Sequence, residues 1–301
     1  MRIRLISGSV YIAILLAFYF MKVLLPHPYG DFCMDVMLYV FAWIGTFEML
    51  RAVQQRTTKK ERTIVYIFTA ICIPACALSE YFFGAGLQAS CFCVLGLSVA
   101  LLSLLVAEHE ETSLENIGLA LLAAVYPTLL LSVFVLGNHL NPPAALVKIG
   151  FDSRLFILFV FVISPCADGI AYIFGRFLRK YFPKKLAPVL SPNKTVIGGI
   201  GGLVGGMLGA LILYFVYGAA GGAGAMTDMH IWLPIYLFIG LISSAVCEFG
   251  DLVESCIKRK VGLKDMGKIM PGHGGILDRI DGMLFVSLIT YILFLLIYII
   301  V

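Results

Sequence analysis

The chain has 301 residues, of which 60% are hydrophobic and 13% charged, with a formal net charge of +4. A soluble globular domain carries about 25% charged residues, so this balance excludes a soluble domain and points to an integral membrane protein. Apolar runs of the roughly 20 residues that cross a bilayer as a helix recur along the whole length, and the opening run reaches Leu25 without a clear small-residue cleavage site, a poor fit to a signal peptide.

Hydropathy places spans near 9–25, 31–50, 63–83, 86–107, 117–137, 150–167, 196–217, 230–250 and 282–301. The expected fold is therefore all-α: a polytopic membrane protein with about nine transmembrane helices. An odd number puts the termini on opposite sides. With a cytoplasmic N-terminus, 19 of the 22 basic residues fall in cytoplasmic segments, leaving Lys22, Lys148 and Arg154. Such asymmetry is what the positive-inside rule requires. The eight cysteines lie mostly within predicted helices and show no C-x-x-C spacing, so they read as small buried hydrophobes and not as metal ligands.

Residues 1–150 offer helices, a basic loop RAVQQRTTKKER and an acidic loop EHEETSLEN. The basic loop is a topology determinant or a contact for anionic headgroups. Glu108, Glu110, Glu111 and Glu115 read as a solvated turn in preference to a metal site. This half is expected to be scaffold, with a subunit contact as its further use.

In residues 151–301 the polar residues form patterns. SPCADGIAYIFGRFLRK places Asp168 beside an apolar run, with Arg176 eight residues on. A carboxylate there is costly unless paired, hydrated or bound to a cation, and structural and functional readings stand level. SPNKT, with Ser191, Lys194 and Thr195, can cap a helix and face an anion. The glycines that follow, at 198, 199, 201, 202, 205, 206 and 209, carry small-xxx-small spacings that favour close helix packing.

EFGDLVESCIKRK follows. On a helix Glu248, Asp251 and Ser255 share a face, as do Asp251 and Glu254, and Lys258 and Arg259 come one turn later. KDMGKIMPGHGGILDRID adds Lys264, Asp265, His273, Gly274, Gly275, Asp278, Arg279 and Asp281. Four such clusters, all assigned to the cytoplasmic side, argue for a polar active site at the membrane boundary. Carboxylates able to hold Mg²⁺ beside cations able to hold phosphates suit phosphoryl or nucleotidyl transfer. The glycines of PGHGG let backbone approach an anion closely.

Ser255-Cys-Ile-Lys258-Arg259, Lys264-Asp265 and Pro271-Gly-His273-Gly-Gly-Ile-Leu-Asp278-Arg279-Ile-Asp281 resemble the signature of the phosphatidate cytidylyltransferase, or CDP-diacylglycerol synthase, family. Asp168 with Ala171-Tyr172 and Gly175-Arg176, Ser191-Pro192 with Lys194-Thr195, and Gly250-Asp251-Leu252 with Glu254-Ser255 resemble further blocks in order. The chain departs from the pattern at Ile197, where a Glu is usual, at Gly169, where Thr or Ser is usual, and in a minor way at Met270.

The resemblance implies reaction of CTP with phosphatidic acid to give CDP-diacylglycerol and pyrophosphate, with Mg²⁺ and room for a second cation, in a homodimer. It implies a multi-pass protein of the cell membrane whose active site faces the cytoplasm, with no nucleic acid as partner. Asp251, Asp278 and Asp281 become the metal carboxylates, and Lys258, Arg259 and Lys264 join them as catalytic groups. Asp168, Arg176, Ser191, Lys194, Thr195, His273, Gly274, Gly275 and Arg279 become substrate-binding residues. For His273 the reading is turn formation or anion binding; for Arg279 a salt bridge to Asp278 or Asp281 competes with substrate contact. Two rival functions stand beside this one: a cytidylyltransferase acting on an ether-lipid phosphate, and a polytopic transporter, which calls for an inverted repeat not visible here.

Overall fold

The computed structural model of the chain describes residues 2–147, 150–219, 228–272 and 274–300. Among the described residues it is mostly helical, with one small two-stranded hairpin. Among the described residues nine helical segments are long and apolar enough to cross a membrane. The expected all-α polytopic architecture is therefore observed.

The helices divide into two compact units. The first comprises residues 1–139 and 261–280, the second residues 140–260 and 281–301. The last helix contributes its first turn to one and its remainder to the other.

The first unit contains α1 (Arg2–Leu24), α2 (Tyr29–Ala52), α3 (Lys59–Phe83), α4 (Gly86–Ala107), α5 (Leu114–Ala124) and α6 (Leu130–Asn138). A capping box starts α3: Thr58 accepts from the Glu61 amide while the Glu61 side chain accepts from the Thr58 amide. α5 and α6 form one span, interrupted by a π turn at Val125–Leu129. Pro127 sits in this turn and has no N–H to give to a regular ladder. The irregularity is covered by α2, where Gly45 leaves only enough space for the Pro127 ring, a Cβ at position 45 lying 3.0 Å from it. Beside it the hydroxyls of Thr46, Thr69 and Thr128 form a closed triangle at 2.9–3.1 Å.

A second polar network ties the other end of α2 to its neighbours. Lys22 pairs with Asp31 and donates to the Asn138 carbonyl at 2.8 Å; Asn138 Nδ2 donates to Asp35 at 2.9 Å, and the His139 ring meets Asp35 at 2.7 Å. Charged groups placed among apolar spans are tolerated because each is matched in this way. The loops expected to be solvated charge runs meet through Lys60 with Glu108 and Arg56 with Glu115.

The second unit contains the short α7 (Ala144–Val147), α8 (Ser153–Phe177), β1 (Lys185–Ala187), β2 (Ser191–Thr195), α9 (Val196–Ala219), α10 (Met229–Lys260) and most of α11 (Leu277–Ile300). Asp152 caps α8 by accepting the Arg154 and Leu155 amides. An aromatic cluster fills the interior: the Phe151 and Phe294 rings lie 4.5 Å apart, with Tyr236 against Phe159 and Tyr214. Lipid-facing side chains such as Val216, 61% exposed, complete the outer face.

The glycines of α9 work on two faces. Gly201 and Gly205 face α8, where a Cβ would run into Phe174 and the Cys166 carbonyl, and Gly206 faces Ser244 and Gly240 of α10. Close approach of three helices in lipid depends on such small residues. The sixth span extends ten residues beyond the expected end at 167, and the eighth runs to Lys260, so Asp168–Arg176 and Asp251–Lys260 stand on continuous helices.

Candidate functional site

Two clusters of polar groups lie in the second unit and one in the first. The central cluster comes from α10 and α11. Asp251 and Glu254 are three residues apart on α10, and Asp281 lies on α11; one carboxylate oxygen from each falls within 4.8 Å of the others. Glycine makes this approach possible. A Cβ at Gly250 would lie 2.6 Å from the Phe285 ring, and one at Gly282 would lie 2.6 Å from Cys247 Sγ. Bulk at either place would push the carboxylates apart.

Cations border the trio. Lys258 Nζ donates to Glu254 Oε2 at 2.8 Å, one turn along α10, while Lys194 pairs with Asp251. Arg259 Nε reaches the Leu190 carbonyl at 3.5 Å, tying α10 to the hairpin. The hairpin is antiparallel, with Lys185 opposite Thr195 and Ala187 opposite Ser191. SPNKT is a strand that leads directly into α9, and it caps that helix as expected: Thr195 Oγ1 accepts the Gly198 amide at 3.1 Å.

The second cluster surrounds a cavity of about 550 Å³, whose lining includes Asp168, Tyr172, Arg176, Arg179, Lys194 and Glu248. Arg176 Nη1 donates to the Tyr172 hydroxyl at 2.6 Å. The carboxylate of Glu248 rests in the notch left by Gly199 and Gly202. Positive and negative groups in one cavity within a membrane-spanning unit suit a ligand that is itself anionic and can be accompanied by a cation.

In the first unit, the stretch before α11 folds as a compact loop. The Met270 amide donates to the Gly274 carbonyl at 2.9 Å, with Gly272 at φ 79° and Gly274 at φ 89°, conformations that favour glycine. Asp278 Oδ2 accepts the amides of Met266 at 2.9 Å and Gly275 at 2.8 Å. Ser7 of α1 donates to the Pro271 carbonyl at 3.1 Å. The loop walls a cavity of about 620 Å³ whose lining includes Lys264, Lys268, Gly272, Gly274 and Arg279. Among the described residues neither lysine nor Arg279 enters an ion pair, so the salt bridge weighed for Arg279 does not form there. His273 lies outside the described residues.

The sequence-derived set is therefore gathered in parts. Asp251, Asp281, Lys258 and Lys194 stand together in the second unit, where Asp168, Arg176 and Thr195 line the neighbouring cavity. Ser191 begins the strand that carries Lys194. Lys264, Gly274 and Arg279 share the loop cavity, with Gly275 and Asp278 holding its backbone.

Three carboxylates join this set. Glu254 completes the acidic trio and was visible in the helical spacing. Glu248 stands one turn before Asp251. Glu48, in the supposed scaffold, accepts the Ile276 amide at 3.1 Å and the Leu277 amide at 2.9 Å; its only signal was an acidic residue inside an apolar span.

The donor set of the trio fits a hard divalent cation. Mg²⁺ takes oxygen ligands and retains water, and binds through a few carboxylates together with substrate phosphates, which is what three oxygens from two helices can offer.

Relatives named phosphatidate cytidylyltransferase include those of Staphylococcus saprophyticus, 45% identical over 131 residues covering 44% of this chain and 45% of the relative, and Staphylococcus haemolyticus, 43% identical over 135 residues covering 45% and 47%. That of Staphylococcus aureus is 46% identical over 132 residues, covering 44% and 45%. The chain spans about half the length of the curated relatives it matches. A model described as the cytidylyltransferase family matches residues 2–297, nearly end to end, and the chain belongs to that family.

Proposed function

We propose that the protein is a phosphatidate cytidylyltransferase, transferring CMP from CTP to phosphatidic acid to give CDP-diacylglycerol and pyrophosphate. The observation that carries this reading is the trio Asp251, Glu254 and Asp281, bordered by Lys258 and Lys194 within a membrane-spanning unit. Hydrolytic or acyl-transfer chemistry needs a nucleophile and base, whereas transfer between two phosphates needs chiefly charge neutralisation and positioning. The names of the staphylococcal relatives support the same reaction.

In the reaction a phosphate oxygen of phosphatidate forms a bond to the α-phosphorus of CTP. The bond from that phosphorus to the bridging oxygen breaks, and pyrophosphate leaves with the electron pair. The attacking phosphate is already largely ionised near neutral pH, so no side chain has to remove a proton.

Asp251, Glu254 and Asp281 are the residues that would hold Mg²⁺, whereas Asp278, which the family signature implies as a metal carboxylate, accepts the Met266 and Gly275 amides. When bound, the ion offsets negative charge on the transferring phosphoryl group. Lys258 orients Glu254, and Lys194 orients Asp251 while offering a positive charge to an arriving phosphate. Arg176 and Lys194 suit the headgroup of a lipid entering the cavity beside Asp168. Lys264, Lys268 and Arg279 suit the polyphosphate of CTP. His273 is assigned to the turn or to an anion, and Arg259 to phosphate pairing. The protein acts as a homodimer in the cell membrane with this chemistry on the cytoplasmic side.

The test is CTP- and Mg²⁺-dependent formation of CDP-diacylglycerol by purified protein in detergent micelles, with Asp251→Asn alongside and an ether-lipid phosphate as second acceptor. Product from phosphatidic acid with wild type and none with the variant supports the reading. No product from folded wild type with any lipid phosphate overturns it.

A further inference from the structure

Glu48 is 1% exposed, lies within the membrane-spanning α2, and has no role in the reaction as proposed above. A carboxylate at such a position is costly unless hydrogen bonds replace its water. Its replacement partners are backbone amides 228 and 229 residues further along the chain, those of Ile276 and Leu277. These amides stand at the first turn of α11, where N–H groups lack acceptors within the helix and the helix dipole favours negative charge.

The same carboxylate sets the sequence of the loop. A Cβ at Gly267 or at Gly275 would run into the Glu48 oxygens, so both positions leave space for it. Asp278 works from the first turn of α11, accepting the Met266 and Gly275 amides. Two carboxylates thus fix four amides of the loop and its junction with α11, Asp278 from α11 itself and Glu48 as the anchor to α2. Gly267 and Gly274 meanwhile line the cavity that holds Lys264, Lys268 and Arg279. The carboxylate lies immediately behind the wall that those cations share.

We propose that Glu48 is a positioning residue for nucleotide binding: its carboxylate clamps residues 266–277 to α2 and holds the Lys264, Lys268 and Arg279 cavity in the shape that takes the polyphosphate of CTP. The nucleotide assignment rests on the function proposed above; the clamp itself rests on the hydrogen bonds. Charge is the essential property. Glutamine keeps the size but presents an –NH₂ toward one of two donors, so one amide loses its acceptor and the charge assistance disappears from both.

The experiment uses full-length protein in detergent or nanodiscs, as wild type, Glu48→Gln and Glu48→Asp. Hydrogen exchange is followed in peptides covering 266–279 and, as control, in α3. CTP is varied at saturating phosphatidic acid, and phosphatidic acid at saturating CTP. The expected result for Glu48→Gln is exchange in 266–279 at least about tenfold faster with α3 unchanged, and KM for CTP raised about tenfold with KM for the lipid within about twofold, the factor set by loss of a charged hydrogen bond. Glu48→Asp recovers part of both, and carries the comparison alone if Glu48→Gln does not accumulate.

Unchanged exchange in 266–279 overturns the proposal. So does a fall in the amount of active protein with both KM values unchanged, which marks a purely structural role. Wild type that makes no cytidylyl product refutes the proposed reaction instead, and the exchange difference alone then decides the clamp.

Discussion

Lys194, at the penultimate position of the second hairpin strand, forms an ion pair with Asp251 on α10. The pair joins two segments that share no secondary structure, and the next residue, Thr195, caps α9. Consecutive residues at the end of the hairpin thereby lock it to the acidic trio and to the glycine-lined helix.

Lys194→Met and Asp251→Asn should therefore be strongly non-additive. Each is expected to lower kcat/KM for CMP transfer by about a hundredfold or more, and the double variant to lose much less than the product of the two, because part of the lysine's effect passes through the carboxylate that the second substitution removes. A double-mutant cycle on transfer rates checks this. Independent multiplication of the two losses would mean that Lys194 meets substrate without reference to Asp251.

Glu254 separates a metal role from a charge-pairing role. Glu254→Gln is expected to raise the Mg²⁺ concentration for half-maximal activity about tenfold or more, whereas Lys258→Met leaves that concentration closer to wild type and lowers turnover. Mg²⁺ titration of both variants is the measurement. An unchanged Mg²⁺ dependence in Glu254→Gln would remove that residue from the metal set. Asp278→Asn should also abolish turnover, and here exchange of the Met266 and Gly275 amides shows whether the loop has opened.

The packing of α9 gives a stability prediction with no chemistry in it. Gly205→Leu forces a side chain onto the Cys166 carbonyl and onto Ala167, whose Cα lies 3.0 Å from where the Cβ would be. Overpacking of this kind costs about 1–3 kcal/mol, and the backbone atoms it meets cannot turn away. Thermal denaturation in detergent should show a lower midpoint, whereas substitution of Gly118 by alanine, whose Cβ would meet no neighbouring element within 4 Å, should not lower it.

The spans were legible because hydropathy reports directly on what must face lipid, and the central carboxylates because Asp251, Glu254 and Lys258 recur at helical spacing. The continuation of α8 past 167 was not. Asp168 and Gly169 look like the polar end of a span, but Asp168 lines a cavity and Gly169 has open space around it, so the helix carries on while hydropathy falls. The hairpin was hidden for a related reason: strands of 3 and 5 residues with burial patterns that do not alternate leave no period of two to read. Glu48 was hidden because its partners are backbone amides, which have no sequence signature of their own.

Orientation in the membrane gives the last prediction. Arg176, Arg179, Lys180, Lys184, Lys185 and Lys194 lie in or beside the stretch joining α8 to α9, and translocating so many cations across a bilayer is disfavoured. Cysteine introduced at Lys180 in a cysteine-free variant should be shielded from a membrane-impermeant maleimide in intact cells and react once the membrane is permeabilised, whereas cysteine at His139, beside the polar network at the other end of α2, should respond in the opposite order if the network is opened by denaturant without loss of membrane integrity. Lys180 is an exposed residue in the structure, so protection in intact cells reports the membrane and not burial within the protein. Labelling of that position from outside would reverse the orientation, and would set the Asp251, Glu254 and Asp281 trio on the side of the membrane where CTP is not made.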